Sequence, residues 1–141
     1  MIAPHPVPCA ELSGALPAGR IAAMERVLGI GGFFFRAKDP EALGAWYREA
    51  LGLDADEQGV WQQAVGPTVF APFDAETDYF GARTQQTMLN FRVRDLDAML
   101  AQLRGLGADV AADVQDFEGV GRFGWVTDPE GNRVELWQPA G

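Results

Sequence analysis

One short phrase occurs twice in this 141-residue chain, and each copy stands before the same local pattern. Phe33–Asp39 reads FFFRAKD and Asn90–Asp95 reads NFRVRD, so their final Asp residues lie 95 − 39 = 56 positions apart. After each Asp, apolar residues recur at helical spacing until a glycine, Gly52 in the first copy and Gly107 in the second. Asp is a favoured N-cap and Gly a favoured C-terminal stop, so the repeat predicts two copies of one strand–helix unit.

The segments after the second helix pattern predict further strands. ADVAADVQDF and RFGWVT lead to the turn sequence DPEGN and then to RVELWQP. Asp-Pro-Glu-Gly-Asn is dense in turn formers, so its flanks are predicted to form an antiparallel hairpin and the second unit reads β-α-β-β-β. The first unit has GVWQQAV and TVFAPF after its helix, which predict at least two strands, and residues 74–86 are predicted as a polar joining loop. The predicted fold class is α+β, with unit one at 26–80 and unit two at 86–139 of a single domain spanning 26–141.

The first 25 residues differ from the rest of the chain. They are rich in Pro and Ala and show neither helical nor strand periodicity, so we expect an irregular N-terminal extension. His5 and Cys9, the only His and Cys, both lie there. A lone cysteine forms no internal disulfide and no basic signal-peptide region precedes it, which favours a cytoplasmic location.

Composition and motifs argue against several classes of function. A formal net charge of −9 disfavours nucleic-acid binding, which depends on Lys and Arg contacts with phosphates. No apolar run approaches the roughly 20 residues that span a bilayer. Nucleophilic catalysis of the Ser-His or Cys-His kind lacks its base in residues 26–141. GVGRFG at Gly119 to Gly124 matches a nucleotide-loop pattern, but a strand and a turn follow it instead of a helix.

A doubled βαβββ unit ending in DPEGNRVELW resembles the vicinal oxygen chelate superfamily, which includes glyoxalase I, bleomycin-resistance proteins and extradiol dioxygenases. The resemblance covers about Arg26 to Pro139. It implies that the two units form a half-open barrel around a cup that holds a small-molecule ligand. It also implies a homodimer, in which some members share the cup between chains.

Alternation along the strands predicts which side chains face this cup. Leu89, Phe91 and Val93 are apolar and are expected to pack on the helix, so their neighbours in the strand face the other way. If the DPEGN hairpin pairs Thr127 with Arg133, the side chains of the last strand that face the cup are also defined. The predicted ligand-binding set is Phe34, Arg36, Met88, Asn90, Arg92, Phe123, Trp125, Arg133, Glu135 and Trp137.

The usual metal site of the superfamily is incomplete here. The resemblance implies metal ligands from the first and last strand of each unit, at positions that carry Gly32, Met88, Phe70 or Ala71, and Glu135. Only Glu135 is a side chain of the right type, whereas zinc or iron sites normally use at least three imidazole, thiolate or carboxylate donors. We therefore expect no metal ligands and no cofactor.

The predicted function is metal-independent binding of a small molecule with an anionic or polar end. Arginine forks hold carboxylates and aromatic rings stack on flat ligands. The resemblance also aligns Arg36 with an arginine that glyoxalase I uses for a carboxylate of its glutathione substrate. Two alternatives remain: an enzyme, either a glyoxalase-type lyase or dioxygenase or a metal-free isomerase with Glu135 as base, and a scaffold homodimer whose own side chains fill the cup. For Glu135 itself, a buried ion pair with Arg92 or Arg133 is the competing interpretation.

Overall fold

The computed structural model describes residues 24–141, so most of the predicted extension 1–25, with His5 and Cys9, lies outside the described residues. The described chain divides into two compact units. Residues 36–63 and 80–141 contain every described helix and strand, and residues 24–35 and 64–79 form the other unit. Two helices and a five-stranded sheet confirm the predicted α+β class.

The two predicted helices form where the Asp caps place them. Helix α1 spans Pro40–Leu51 and helix α2 spans Leu96–Gly105. Asp39 accepts a hydrogen bond from the Ala42 amide at 3.1 Å, and Asp95 accepts one from the Ala98 amide at 3.0 Å. Each carboxylate thus satisfies an N–H that has no partner within its helix.

The second repeat forms the whole sheet. Its strands are β1 (Asn90–Arg92), β2 (Asp109–Val110), β3 (Gln115–Phe117), β4 (Gly121–Thr127) and β5 (Arg133–Pro139). The strand order is β1-β5-β4-β2, with β3 also paired to β4; β1 and β5 run parallel and the other pairs are antiparallel. The segment predicted as one strand, ADVAADVQDF, is divided into the short strands β2 and β3.

The predicted register of the DPEGN hairpin is confirmed. Thr127 pairs with Arg133, and Trp125 lies opposite Glu135. Because strand side chains alternate, Val134 and Leu136 then face the helices while Arg133 and Glu135 face the other side of the sheet. The core that results on the helix side consists of Leu43, Tyr47, Ala50, Leu96, Leu100, Leu103, Val126, Val134 and Leu136.

Gly124 allows helix α2 to lie close to this sheet. A Cβ atom on Gly124 would stand 3.2 Å from both Cδ atoms of Leu100 and 3.4 Å from Leu96. The leucines of α2 therefore pack directly on the backbone of Gly124. A larger residue at this position would push the helix away from the sheet.

The DPEGN turn also holds the start of α1. Asp128 is buried at 4% exposure and accepts a hydrogen bond of 2.7 Å from the Tyr47 hydroxyl. The Glu130 carboxylate accepts hydrogen bonds from the Lys38 and Asp39 amides at 2.6 and 3.0 Å. Two carboxylates of one turn thus tie the hairpin to the helix of the first repeat.

The strands predicted for the first repeat do not form in the described chain, and this prediction was wrong. Residues 27–38, 59–65 and 68–73 contain no strand, and Phe33 and Phe35 are 42% and 43% exposed. A β-rich segment becomes a strand only when another strand satisfies its backbone groups, so propensity alone does not decide the outcome. No described helix combines the length and the hydropathy that crossing a lipid bilayer requires.

Candidate ligand-binding site

Glu135 lies at the centre of the candidate site, in the middle of β5. It is 4% exposed, and each carboxylate oxygen accepts a hydrogen bond from a neighbouring strand. Asn90 Nδ2 donates to Oε1 at 2.7 Å, and Trp125 Nε1 donates to Oε2 at 3.1 Å. The cross-strand register explains both contacts, because Asn90 and Trp125 are the partners of Glu135 in β1 and β4.

Arg133 lies two residues before Glu135 and therefore on the same side of the sheet. Its guanidinium carbon is 5.0 Å from the centroid of the Trp125 ring, within cation–π range. The Nε atom is buried and has no hydrogen-bond partner. Among the described residues Arg133 forms no side-chain ion pair, so of the two arginines that the competing interpretation paired with Glu135, this one does not neutralise it.

The amide of Gln85 fixes the backbone of Arg133. Gln85 Oε1 accepts a hydrogen bond from the Arg133 amide at 2.7 Å, and Gln85 Nε2 donates to the Arg133 carbonyl at 2.8 Å. A side chain here performs the pairing that a neighbouring strand would otherwise supply. Sequence reasoning missed Gln85, since a polar residue in a predicted loop carries no signal of this contact.

Two further aromatic residues line the same face. Trp137 stacks on Phe123 with ring centroids 5.9 Å apart and planes 3° from parallel. Trp137 Nε1 donates a 3.0 Å hydrogen bond to the Val120 carbonyl, which fixes the ring. Both side chains are buried, so this end of the face is a rigid aromatic surface.

The remaining predicted residues lie in different settings. Arg92 is half-buried and pairs with Trp137 in the β1–β5 register, and Met88 is half-buried just before β1. Arg36 is exposed and lies outside every strand. Phe34 belongs to the unit formed by residues 24–35 and 64–79 and is 94% exposed. The structure therefore brings together Asn90, Arg92, Phe123, Trp125, Arg133, Glu135 and Trp137.

The residues at the superfamily's metal positions do not fit a metal ion. Gly32 and Phe70 or Ala71 carry no donor side chain, and the thioether of Met88 is a poor ligand for hard divalent ions. Both oxygens of Glu135 already accept hydrogen bonds from N–H groups. No cluster of three or more His, Cys, Asp or Glu side chains suited to a metal occurs within residues 24–141.

A cavity of about 350 Å³ opens on the helix side of the sheet and reaches Arg92 at the β1 edge. Its lining is largely apolar and lies between the end of α1, the start of α2 and strand β1. The alternation of strand side chains predicted that this side of the sheet would be fully packed. The cavity was therefore not predicted from the sequence. The lining residues include Leu53, Trp61, Phe91, Ala98, Met99 and Leu136.

The sequence model of the glyoxalase-like domain family matches residues 32–137. No curated protein matches the chain.

Solved structures with a similar chain trace include three from Streptomyces and Micromonospora strains. An antibiotic-binding protein, TnmS3 of Streptomyces sp. CB03234, is 28% identical, with 74% of this chain and 89% of that chain covered and a TM-score of 0.48. A glyoxalase/bleomycin-resistance protein of the same strain is also 28% identical, with 72% and 92% covered and a TM-score of 0.46. TioX of Micromonospora sp. ML1 is 19% identical, with 74% and 93% covered and a TM-score of 0.49.

Proposed function

Because this chain belongs to the glyoxalase-like domain family of the vicinal oxygen chelate superfamily, we propose that it binds a small organic anion without a metal ion. The ligand lies on the sheet face that carries Arg133, Trp125 and Glu135. One observation supports this function above the others: the guanidinium of Arg133 has a buried Nε with no hydrogen-bond partner.

A buried guanidinium N–H without a partner is costly in the free protein. A buried donor without a partner costs about 1–3 kcal/mol, and more when it is charged. A ligand carboxylate accepts two parallel N–H bonds from an arginine fork and removes this cost. The cation–π contact with Trp125 restricts the guanidinium in the free protein, which lowers the conformational entropy lost on binding.

Enzymatic use of Glu135 as a base has less support. A general base needs a lone pair within reach of the proton that it removes, and the carboxylate of Glu135 is only 4% exposed. Here each oxygen of Glu135 already accepts an N–H from Asn90 or Trp125, which orients the carboxylate within the sheet. Binding through Arg133 is therefore the function that the geometry favours.

The test uses naphthoate, a flat aromatic carboxylate, with the uncharged naphthamide as its control. Naphthoate is expected to raise the melting temperature of the full chain, since a ligand of the native state stabilises it by mass action. EDTA should leave this shift unchanged. Arg133→Ala should weaken naphthoate binding by about ten-fold or more, the scale of a charge-assisted hydrogen bond.

Two variants serve as controls. Arg122 forms an exposed ion pair with Asp97 at 3.0 Å, so Arg122→Ala removes the same charge away from the site and should leave affinity unchanged. Ala98→Phe fills part of the helix-side cavity. If Ala98→Phe weakens naphthoate while Arg133→Ala does not, the ligand occupies the cavity and the proposed site is wrong.

The proposal includes a homodimer in the cytoplasm. Several large apolar side chains of residues 24–35 and 64–79 are exposed, among them Leu28 at 99% and Phe34 at 94%. Exposed apolar surface of this kind supports association with another chain. The absence of a cysteine from residues 24–141 fits a reducing compartment.

A further inference from the structure

The buried carboxylate of Glu135 has a role in this site that is separate from proton transfer and from metal binding. We propose that Glu135 is a positioning residue, which holds the indole of Trp125 beneath the guanidinium of Arg133 and so presents that guanidinium to a planar oxoanion. This inference rests on the proposed binding function and names the residue that shapes its anion subsite.

The side chain of Trp125 in β4 contacts two side chains of β5, Glu135 and Arg133. Trp125 Nε1 donates to Glu135 Oε2 at 3.1 Å, and the Arg133 guanidinium carbon stands 5.0 Å from the centre of the same indole. Trp125 is directly opposite Glu135 and diagonal to Arg133 in the antiparallel register, a distance that aromatic side chains can cover. One indole thus contacts the carboxylate through its N–H edge and the guanidinium through its face.

The carboxylate is itself held from the other side. Asn90 Nδ2 donates to Glu135 Oε1 at 2.7 Å, and Trp125 Nε1 donates to Oε2. One oxygen is therefore hydrogen-bonded to β1 and the other to β4. Glu135 is 4% exposed, and water competes little for these bonds. The position of the indole edge is therefore set by a charged acceptor with little freedom to rotate.

A carboxylate at the indole N–H affects the ring face as well as its orientation. Hydrogen bonds in a buried chain polarise one another, and an anionic acceptor makes the donor ring more electron-rich. A richer ring attracts a cation over its face more strongly. Glu135 thereby stabilises the stacked position of Arg133 without touching it.

The guanidinium of Arg133 keeps one of its hydrogen-bonding positions unfilled. Its central carbon lies 5.0 Å from the centre of the Trp125 ring, and the buried Nε has no hydrogen-bond partner. The Gln85 amide fixes the Arg133 backbone through hydrogen bonds of 2.7 and 2.8 Å. An arginine fixed at both its backbone and its head group suits planar anions such as carboxylates, which it can bind in the plane of the fork.

A double-mutant cycle with naphthoate tests this role. Glu135→Gln should weaken naphthoate binding by about three- to five-fold in the otherwise unchanged chain, the scale of a cation–π contact. In the Arg133→Ala background the same substitution should have no further effect. Non-additivity of this kind measures the coupling between the two positions directly.

Trp125→Phe provides an independent variant if Glu135→Gln folds poorly. Phenylalanine keeps a ring beneath Arg133 but has no N–H for Glu135, so it should also weaken naphthoate, and its effect should not add to that of Glu135→Gln. The indole N–H resonance of Trp125, identified by its loss in Trp125→Phe, should shift upfield in Glu135→Gln as its charged acceptor is removed.

The outcomes separate this inference from the proposed function. If Glu135→Gln lowers naphthoate affinity by the same factor in the original chain and in Arg133→Ala, the positioning role is wrong while the binding site stands. If Arg133→Ala itself leaves naphthoate affinity unchanged, the binding site and the positioning role are both wrong. Arg122→Ala, which removes the exposed ion pair with Asp97, should have the same naphthoate affinity as the original chain.

Discussion

At the scale of single residues, Tyr47 and Asp128 show how a turn motif gains a long-range partner. The hydroxyl of Tyr47 donates to Asp128 Oδ2 at 2.7 Å although the two residues lie 81 positions apart. Asp128 also accepts hydrogen bonds from the Glu130 and Asn132 amides of its own turn. The aspartate that forms the turn therefore also secures helix α1.

Tyr47→Phe should lower the free energy of unfolding by about 1–2 kcal/mol at neutral pH, because it removes a hydrogen bond to a charged, buried acceptor. Urea denaturation followed by circular dichroism measures this change. Naphthoate affinity should stay the same, since the hydroxyl lies on the helix side of the sheet. A loss below a few tenths of a kcal/mol, as for a surface substitution, would contradict this account.

The same variant should alter the pH dependence of stability. Burial, and then the hydrogen bond to Asp128 and its charge, raise the pKa of Tyr47 well above its usual value of 10.0. Above about pH 10 the unfolded chain loses this proton and the folded chain keeps it, so the contribution is present at lower pH and is lost as pH rises. Between about pH 9 and pH 11, stability should therefore fall less steeply in Tyr47→Phe than in the original chain.

At the scale of elements, the two Asp caps were predictable and the strands of the first repeat were not. A helix cap is a contact between residues three positions apart, such as Asp95 and Ala98, so it can be read from the sequence alone. A strand depends on a partner that is distant in sequence. Both copies of the repeat are rich in β-formers, yet only the second has a described partner, β5, for its first strand.

Asp95→Ala should lower the free energy of unfolding by about 1 kcal/mol through loss of the N-cap of α2. Asp113→Ala is the matched control, because Asp113 is exposed and forms no described hydrogen bond or ion pair. It makes the same change of charge without removing a cap. Thermal and urea denaturation of the two variants should differ, and equal stability would show that the cap contributes nothing.

At the scale of the whole molecule, the exposed apolar side chains of residues 24–35 bear on association. Phe34→Glu should shift the protein from dimer to monomer in sedimentation velocity, because Phe34 is 94% exposed and its burial would be lost. Leu106→Glu places the same charge at a 61% exposed residue of the other unit and should leave the dimer intact. A monomer in the unchanged chain would rule out the homodimer.

The sequence by itself determined the features that depend on near neighbours and on periodicity. These are the helix starts at Asp39 and Asp95, the DPEGN hairpin, and the face of β5 that carries Arg133 and Glu135. Each follows because capping, turn geometry and the two-residue period of strands act over a few positions.

Only the tertiary structure decided how those side chains are partnered. It placed Asn90 and Trp125 on the two oxygens of Glu135, left the Nε of Arg133 without a partner, and brought Gln85 to a backbone 48 positions away. Such contacts depend on which strands become neighbours and on what each then buries. Burial and long-range pairing are properties of the packed chain, and no local pattern encodes them.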